Sequence, residues 1–344
     1  VPDVVNLYSD TQTRPTPGMR EAIATAEVGD EQRGEDPTVN ALQERVAELL
    51  GHESALFLPS GTMCNAIAFR LHIRPGGDAA LLDRTAHPLH FEAGSPAQLS
   101  GAMTVPLDGD GGIFTADQLR AALVPEGNRY APRSRLVSVE QTTNIAGGRV
   151  WPLATIAEVL DVARRAGLRA HLDGARLLNA VVASGVSAAE YASPFDTAWI
   201  DFTKGLGAPV GACLAGSREL IDEAWRYKQM WGGALRQAGI VAAAGLYALD
   251  HHVDRLAEDH ANARWLAEAL AGIDGIDVDA ATVETNIVVA EVADAPTLVA
   301  ALDAEGIQVT RLGPTTIRMV THLDVDREGC ERAVAAMRRI PAAG

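Results

Sequence analysis

The sequence predicts an α/β fold in which a sheet is covered by helices on both faces. Three observations carry that prediction. Short apolar runs rich in Val, Ile and Leu alternate with longer segments of helical period. The 344 residues suffice for about two domains at roughly 150 residues each. Hydrophobic residues at 47% against charged residues at 22% give the composition of a chain that folds and buries a sizeable core.

Strands are expected over residues 55–58, 79–82, 136–139, 169–172, 198–202 and 212–215. A helix over 38–50 opens at Asp36-Pro37, repeats Leu42, Val46 and Leu49 at near-helical spacing and closes at Gly51. Residues 152–165, ended by Gly167, read the same way. Further on, 237–271 is rich in Ala and Leu and reads as nearly continuous helix. A strand-like run over 283–292, a helix over 295–305 and a closing helix near 326–339 follow it. The change of pattern puts a boundary near Ala243, giving an N-terminal arm over 1–18, a large domain over 19–243 and a smaller α+β domain over 244–344. No internal repeat or low-complexity segment interrupts this order.

Charge narrows the function classes. The 29 Lys and Arg against 45 Asp and Glu give a net −16 without a basic arm, which argues against nucleic-acid and anionic-membrane partners. Cys64, Cys213 and Cys330 are odd in number and lack ligand spacing, so reduced thiols in a cytoplasm and no metal site are expected. The opening VPDVVNLYSDTQT has no basic-then-apolar leader, and no apolar run approaches the roughly 18 residues that span a bilayer.

Chemistry concentrates where strands end. Lys204 follows an apolar strand in AWIDFTKGLGAPVGACLAG and precedes a glycine-rich turn. It either reaches solvent from the strand end or serves as an amine held in an imine, since a buried ammonium is costly to dehydrate. Asp173 ends another strand in LRAHLDGARLLNA, with Arg176 in the turn beyond. Sheet enzymes gather ligands at such carboxyl ends, where a carboxylate can pair with a protonated ring nitrogen and an arginine can reach a phenolate or phosphate oxygen. Equally, Asp173 can cap the helix beginning near Ala175 with Arg176 as its partner. In SALFLPSGTMCNAIAFRLHI, Ser60, Gly61 and Thr62 stand at a helix start whose free N–H groups suit a phosphate, although Ser-Gly-Thr is also an ordinary helix start. The stretch GLGAPVG lacks the glycine spacing of a dinucleotide fingerprint. With His87 in RTAHPLHFEAG as a ring to stack on a cofactor, the set describes pyridoxal 5'-phosphate (PLP).

In order and across nearly the whole chain, SDTQTRPTPGMREAI, GDEQRGEDPTVNALQERVAELLG, LPSGTMCNA, AHPLHFEAG, HLDGARLLNA, TKGLGAPVG, GGALRQAGIVAAAGLYAL and IRMVTHLD resemble the low-specificity L-threonine aldolases. The resemblance implies a PLP enzyme of the aspartate-aminotransferase-like fold (fold type I), its large domain built on a mostly parallel sheet. It also implies a homotetramer or homodimer whose sites draw on two subunits. Carried over to this chain, Lys204 forms the imine with the cofactor, Asp173 holds the pyridinium and Arg176 contacts the ring hydroxyl. Gly61 and Thr62 bind phosphate, His87 stacks on the ring, and Arg236 reaches the phosphate of a neighbouring subunit. Ser9 and Arg318 hold the carboxylate of an amino-acid substrate. The implied reaction cleaves L-threonine, L-allo-threonine or a related β-hydroxy-α-amino acid to glycine and an aldehyde. The alternative keeps the cofactor but breaks another bond, as in a β-eliminating lyase, a racemase or a transaldolase.

The chain departs from the family at several places. Where the family reads Glu-Asn-Thr-His-Asn, this sequence reads Glu140, Gln141, Thr142, Thr143 and Asn144, so the second active-site histidine is missing. Thr143 can hydrogen-bond near the β-substituent but cannot usefully accept a proton at neutral pH. His90, three residues after His87, is the candidate replacement base. Arg33 replaces a tyrosine in GDEQRG and is either a contact for an anionic β-substituent or a surface partner of Glu31, Glu35 or Asp36. Gln229 stands where a lysine is expected, and Tyr8 where an arginine precedes Ser-Asp-Thr.

Overall fold

The computed structural model describes residues 4–340. A seven-stranded sheet forms its centre. The strands are β1 (Ser54–Leu58), β2 (Ala79–Asp83), β3 (Met103–Leu107), β4 (Ser134–Glu140), β5 (Arg169–Gly174), β6 (Thr197–Asp201) and β7 (Ala212–Gly216). In space they run β1-β7-β6-β5-β4-β2-β3, and β7 alone is antiparallel to its neighbours. Six of these strands lie where the apolar runs predicted them. The sequence reading missed β3, because Pro106 and the exposed Met103 break its apolar signature. Both are tolerated at the sheet edge, where a proline has no ladder bond to withhold.

Period-two alternation sorts the sheet's two faces. On one face Leu172, Ala198 and Ile200 join the larger apolar core with the helices Pro37–Leu50 and Leu153–Arg165. On the other, Leu56, Leu58 and Trp199 pack with Cys64 and Ile67 of the helix Gly61–His72. That second face also receives His171 and Asp173 of β5, polar residues in fully buried strand positions. The predicted helix starts hold: Asp36 caps Pro37–Leu50 by accepting from the Val39 N–H, and Gly51 closes it in the left-handed region at φ 68°.

One expected helix is two. Gly239–His251 and Leu256–Leu270 are separate, broken where His252 Nδ1 meets the Leu206 carbonyl at 2.7 Å. The break redirects the chain between cores: Ala242, Ala244 and Ala248 of the first half, with Leu256 at the head of the second, belong to the larger one, and Ala263, Leu266 and Leu270 to a second. This second core backs a four-stranded antiparallel sheet ordered Thr310–Arg311, Thr316–Val320, Ile287–Val292 and Ile276–Asp277. The strand expected from 283 begins only at Ile287, since Asn286 turns inward to bond Asp10 and the Thr321 carbonyl. Val5–Asn6 pairs in parallel with Ile307–Gln308, fixing the N-terminal segment against this unit. Cys64, Cys213 and Cys330 are free and buried. Among the described residues no helix is long and apolar enough to cross a membrane.

Candidate active site

Three adjacent parallel strands deliver carboxylates at one end of the sheet. Glu140 ends β4 in register with Asp173 of β5, Asp173 is in register with Trp199 of β6, and Asp201 ends β6. Three residues on, the Lys204 side chain folds back so that Nζ lies 2.6 Å from Asp201 Oδ2 and 5.6 Å from the Trp199 ring centre. Thr13 donates its hydroxyl to the Lys204 carbonyl at 2.8 Å, joining the N-terminal segment to this turn.

Asp173 is held from two sides. Its Oδ1 accepts from the Ala175 N–H at 3.1 Å, a local turn contact and not the helix cap considered from sequence, since the helix Leu177–Ser184 begins later and has Arg176 at its N-cap without a side-chain cap bond. Its Oδ2 accepts from Asn65 Nδ2 at 2.8 Å, and the same amide donates to Glu92 Oε1 at 2.7 Å. Glu92 in turn holds His87 Nδ1 at 2.9 Å. Among the described residues Glu140 accepts only the His87 backbone N–H, at 3.3 Å. Burial, followed by the adjacent Asp173 charge, raises its pKa well above the ordinary carboxyl value.

Arg176 is not the partner of Asp173. Its guanidinium makes a buried two-point contact with Asp10, to which Asn286 also donates at 3.1 Å. Ser9, beside Asp10, caps a short turn and accepts from the Thr11 N–H and hydroxyl. Arg318 comes from the smaller sheet, 7% exposed, with Nη1 on Asn144 Oδ1 at 2.7 Å and Nε without a partner. Burial and the Arg176 charge lower its pKa.

Gly61 and Thr62 open the helix Gly61–His72 behind the Ser60 cap, so their N–H groups have no intrahelical acceptor. A Cβ at Gly61 would lie 2.2 Å from the Trp199 ring, so only glycine fits there.

The other candidates have their hydrogen-bond partners outside this cluster within the chain. His90 is exposed at the end of the short helix His87–His90, its Nε2 on the Arg84 carbonyl at 2.7 Å. The Thr143 hydroxyl accepts from the Arg149 N–H at 3.0 Å. Arg33 pairs with Glu35 and Arg236 with Asp30, both on the surface. Sequence reasoning missed Asp10, Asn65, Glu92 and Asn286. Asp10 lay inside a quoted motif and Asn65 one turn into the quoted helix start, but nothing local marks a side chain whose partner is far along the chain.

The residues present fit PLP. An amine, a buried carboxylate, a guanidinium, a helix start opened by a glycine and an imidazole are groups that would suit the cofactor's aldehyde, ring nitrogen, phenolic oxygen, phosphate and ring face in turn. Among the described residues the buried Arg318 Nε has no partner, a donor that an outside anion would satisfy.

Comparison with known proteins agrees. The family model described as β-eliminating lyase matches residues 6–294. A low specificity L-threonine aldolase from Escherichia coli (strain K12) is 41% identical over 340 residues, covering 97% of this chain and 98% of that protein. The solved structure of a Leishmania major threonine aldolase superposes with a TM-score of 0.83 at 21% identity, over 97% of this chain and 98% of that one. A serine palmitoyltransferase variant from S. paucimobilis with a bound PLP–myriocin aldimine gives 0.75 at 17% identity, over 98% and 87%. These likenesses identify the fold as that of PLP-dependent enzymes of fold type I. Family model and full-length similarity together establish that the chain belongs to the β-eliminating lyase family, as a member of its low-specificity L-threonine aldolases.

Proposed function

We propose that the protein is a PLP-dependent carbon–carbon lyase that cleaves L-threonine, L-allo-threonine or a related β-hydroxy-α-amino acid to glycine and an aldehyde. Arg318 carries the reading: a buried guanidinium with an unpartnered Nε, close enough to the Arg176–Asp10 pair to feel both charges, suits an amino-acid carboxylate. When bound, PLP supplies an electron sink for the pair released as Cα–Cβ breaks. Lys204 would hold it by its amine, Asp173 would face the pyridine nitrogen, and Arg176 the phenolic oxygen. The Gly61 and Thr62 N–H groups would take the phosphate, with Arg236 of a second copy, and His87 would cover the ring.

Ser9 and Arg318 fix the substrate carboxylate. The β-hydroxyl proton then needs a base. Thr143 has no useful basicity and His90 is turned to the Arg84 carbonyl. His87 is better prepared, because Glu92, itself the acceptor for Asn65 and Ser95, accepts a hydrogen bond from Nδ1–H and so leaves Nε2 as the basic nitrogen. The family resemblance favours a homo-oligomer, a dimer or tetramer, in which Arg236, exposed here and paired with Asp30, would meet the site of a second copy. The three free thiols support a cytoplasmic setting.

The PLP-loaded protein, assayed with a panel of β-hydroxy-α-amino acids, is expected to release aldehyde and glycine in equal amounts. No aldehyde from any member, or ammonia and a keto acid instead, would overturn the reading. Lys204→Ala is expected to abolish the visible absorbance of the bound cofactor.

A further inference from the structure

Behind Asp173 runs a hydrogen-bond chain that the proposed reaction does not use. His72 Nε2 meets Thr197 Oγ1 at 2.9 Å, and Thr197 Oγ1 meets His171 Nδ1 at 2.8 Å. His171 Nε2 meets Asn65 Oδ1 at 3.1 Å, and Asn65 Nδ2 reaches Asp173 Oδ2 at 2.8 Å. All five residues are buried. One face of the helix Gly61–His72 supplies Asn65 and His72, two turns apart, and the β5–β6 register sets His171 opposite Thr197.

The direction of every proton follows from donor chemistry. An indole N–H only donates, so Trp199 Nε1 at 2.8 Å identifies Asn65 Oδ1 as the acceptor end of the amide. Oδ1 carries no hydrogen, so His171 Nε2 must donate to it. Burial lowers the His171 pKa to about 3, which leaves the ring neutral with one proton, and Nδ1 is therefore an acceptor. Thr197 consequently donates its single hydroxyl hydrogen to His171. What remains on Thr197 is a lone pair, which accepts from His72 Nε2–H. Every bond in the series points toward Asp173, and aligned hydrogen bonds polarise one another.

We propose that Asn65 is a positioning residue: it delivers an oriented hydrogen-bond chain, begun at His72 and passed through Thr197 and His171, that fixes Asp173 as an acceptor for the cofactor's ring nitrogen. Its second amide hydrogen, on Glu92, holds the His87 support in the same grip. The inference rests on the reading of Asp173 as the partner of that nitrogen.

The test is the ¹⁵N resonance of ring-labelled PLP in the holoenzyme, which reports protonation of the ring nitrogen and does not follow from fold integrity alone. Asn65→Leu removes both amide donors and is expected to move the resonance toward the unprotonated position. Thr197→Val, nearly isosteric, cuts the chain and is expected to move it less in the same direction; it decides the matter where Asn65→Leu does not fold. Thr197→Ser restores the hydroxyl and is expected to return the resonance to the wild-type position. Asp173→Asn separates the two claims. If Asp173→Asn moves the resonance while Asn65→Leu and Thr197→Val leave it in place, the chain has no role and the inference is overturned. If Asp173→Asn also leaves it in place, the reading of Asp173 falls and the inference with it.

Discussion

Arg176 and Asp10 form a two-point ion pair sealed from water: Nε donates to Oδ2 and Nη2 to Oδ1, each at 2.7 Å, with side chains 3% and 0% exposed. The N-terminal segment is thereby fastened to the turn after β5. Asp10→Asn leaves the guanidinium buried without its counter-charge, a change that costs about 3–5 kcal/mol in such pairs. The urea midpoint should fall accordingly, and Asp10→Leu with Arg176→Met should recover much of the loss, because two apolar groups leave no charge uncompensated. Acid sensitivity has a definite sign. Burial pushes Asp10 up, but the Arg176 charge and hydrogen bonds outweigh it and the net pKa is lowered. Its contribution is complete above the unfolded value of about 4 and disappears as pH falls through the folded one. Between about pH 5 and pH 2 the wild type should lose stability that Asp10→Asn no longer has; parallel curves would contradict this account.

Glu140 carries the opposite sign. Burial, then Asp173, raise its pKa in the folded chain, so the group favours folding below the unfolded value of about 4.3 and loses that contribution as pH rises through the folded one. Glu140→Gln keeps a neutral side chain of the same shape. Its unfolding free energy should match wild type near pH 4, exceed it increasingly toward neutrality, and level off above the folded pKa of Glu140. A variant no more stable than wild type at neutral pH would contradict the raised pKa of Glu140.

These two carboxylates illustrate what sequence carries and what it hides. Strand ends were legible because an apolar run that stops at Asp173, or just short of Lys204, advertises its end locally. Helix boundaries were legible for the same reason at Asp36, Gly51 and Asp326, where caps bond within three residues. Partners were not. Asp10 meets Arg176 across 166 positions and Asn65 meets Asp173 across 108, separations at which only the folded sheet sets the distance. The division at His252 was hidden because both helical halves are equally rich in Ala, and only the core each one packs against tells them apart.

Arg318 offers a kinetic test of the substrate end. Its Nη1 is committed to Asn144, while Nε is buried without a partner. Hydrogen bonds to charged groups are worth about 1.5–3 kcal/mol, so Arg318→Leu should raise KM for L-threonine by roughly 10- to 150-fold. Arg318→Lys keeps the charge but not the planar fork and should fall between. Initial-rate kinetics on PLP-loaded enzyme decide the point, and an unchanged KM in Arg318→Leu would remove this residue from the carboxylate site.

Gly61 and Trp199 set the shape of the helix start proposed to take the phosphate. A Cβ at Gly61 would stand 2.2 Å from Cη2 and 2.4 Å from Cζ3 of the indole. The ring has little freedom to retreat, since its Nε1 is bound to Asn65 Oδ1 at 2.8 Å and its side chain is packed among Leu56, Leu58 and Leu214. Gly61→Ala must therefore displace either the indole or the helix start whose N–H groups are proposed to take the phosphate. Overpacking of this kind costs about 1–3 kcal/mol. The expected result is a lower unfolding midpoint together with weaker PLP binding in equilibrium dialysis. Trp199→Phe removes the indole atoms that clash, at the cost of the bond to Asn65. If the close approach is the cause, Gly61→Ala in the Trp199→Phe background should lose less PLP affinity than Gly61→Ala alone, a coupling that a double-mutant cycle measures. Additive losses would mean that the glycine is required for backbone reasons unconnected with the indole.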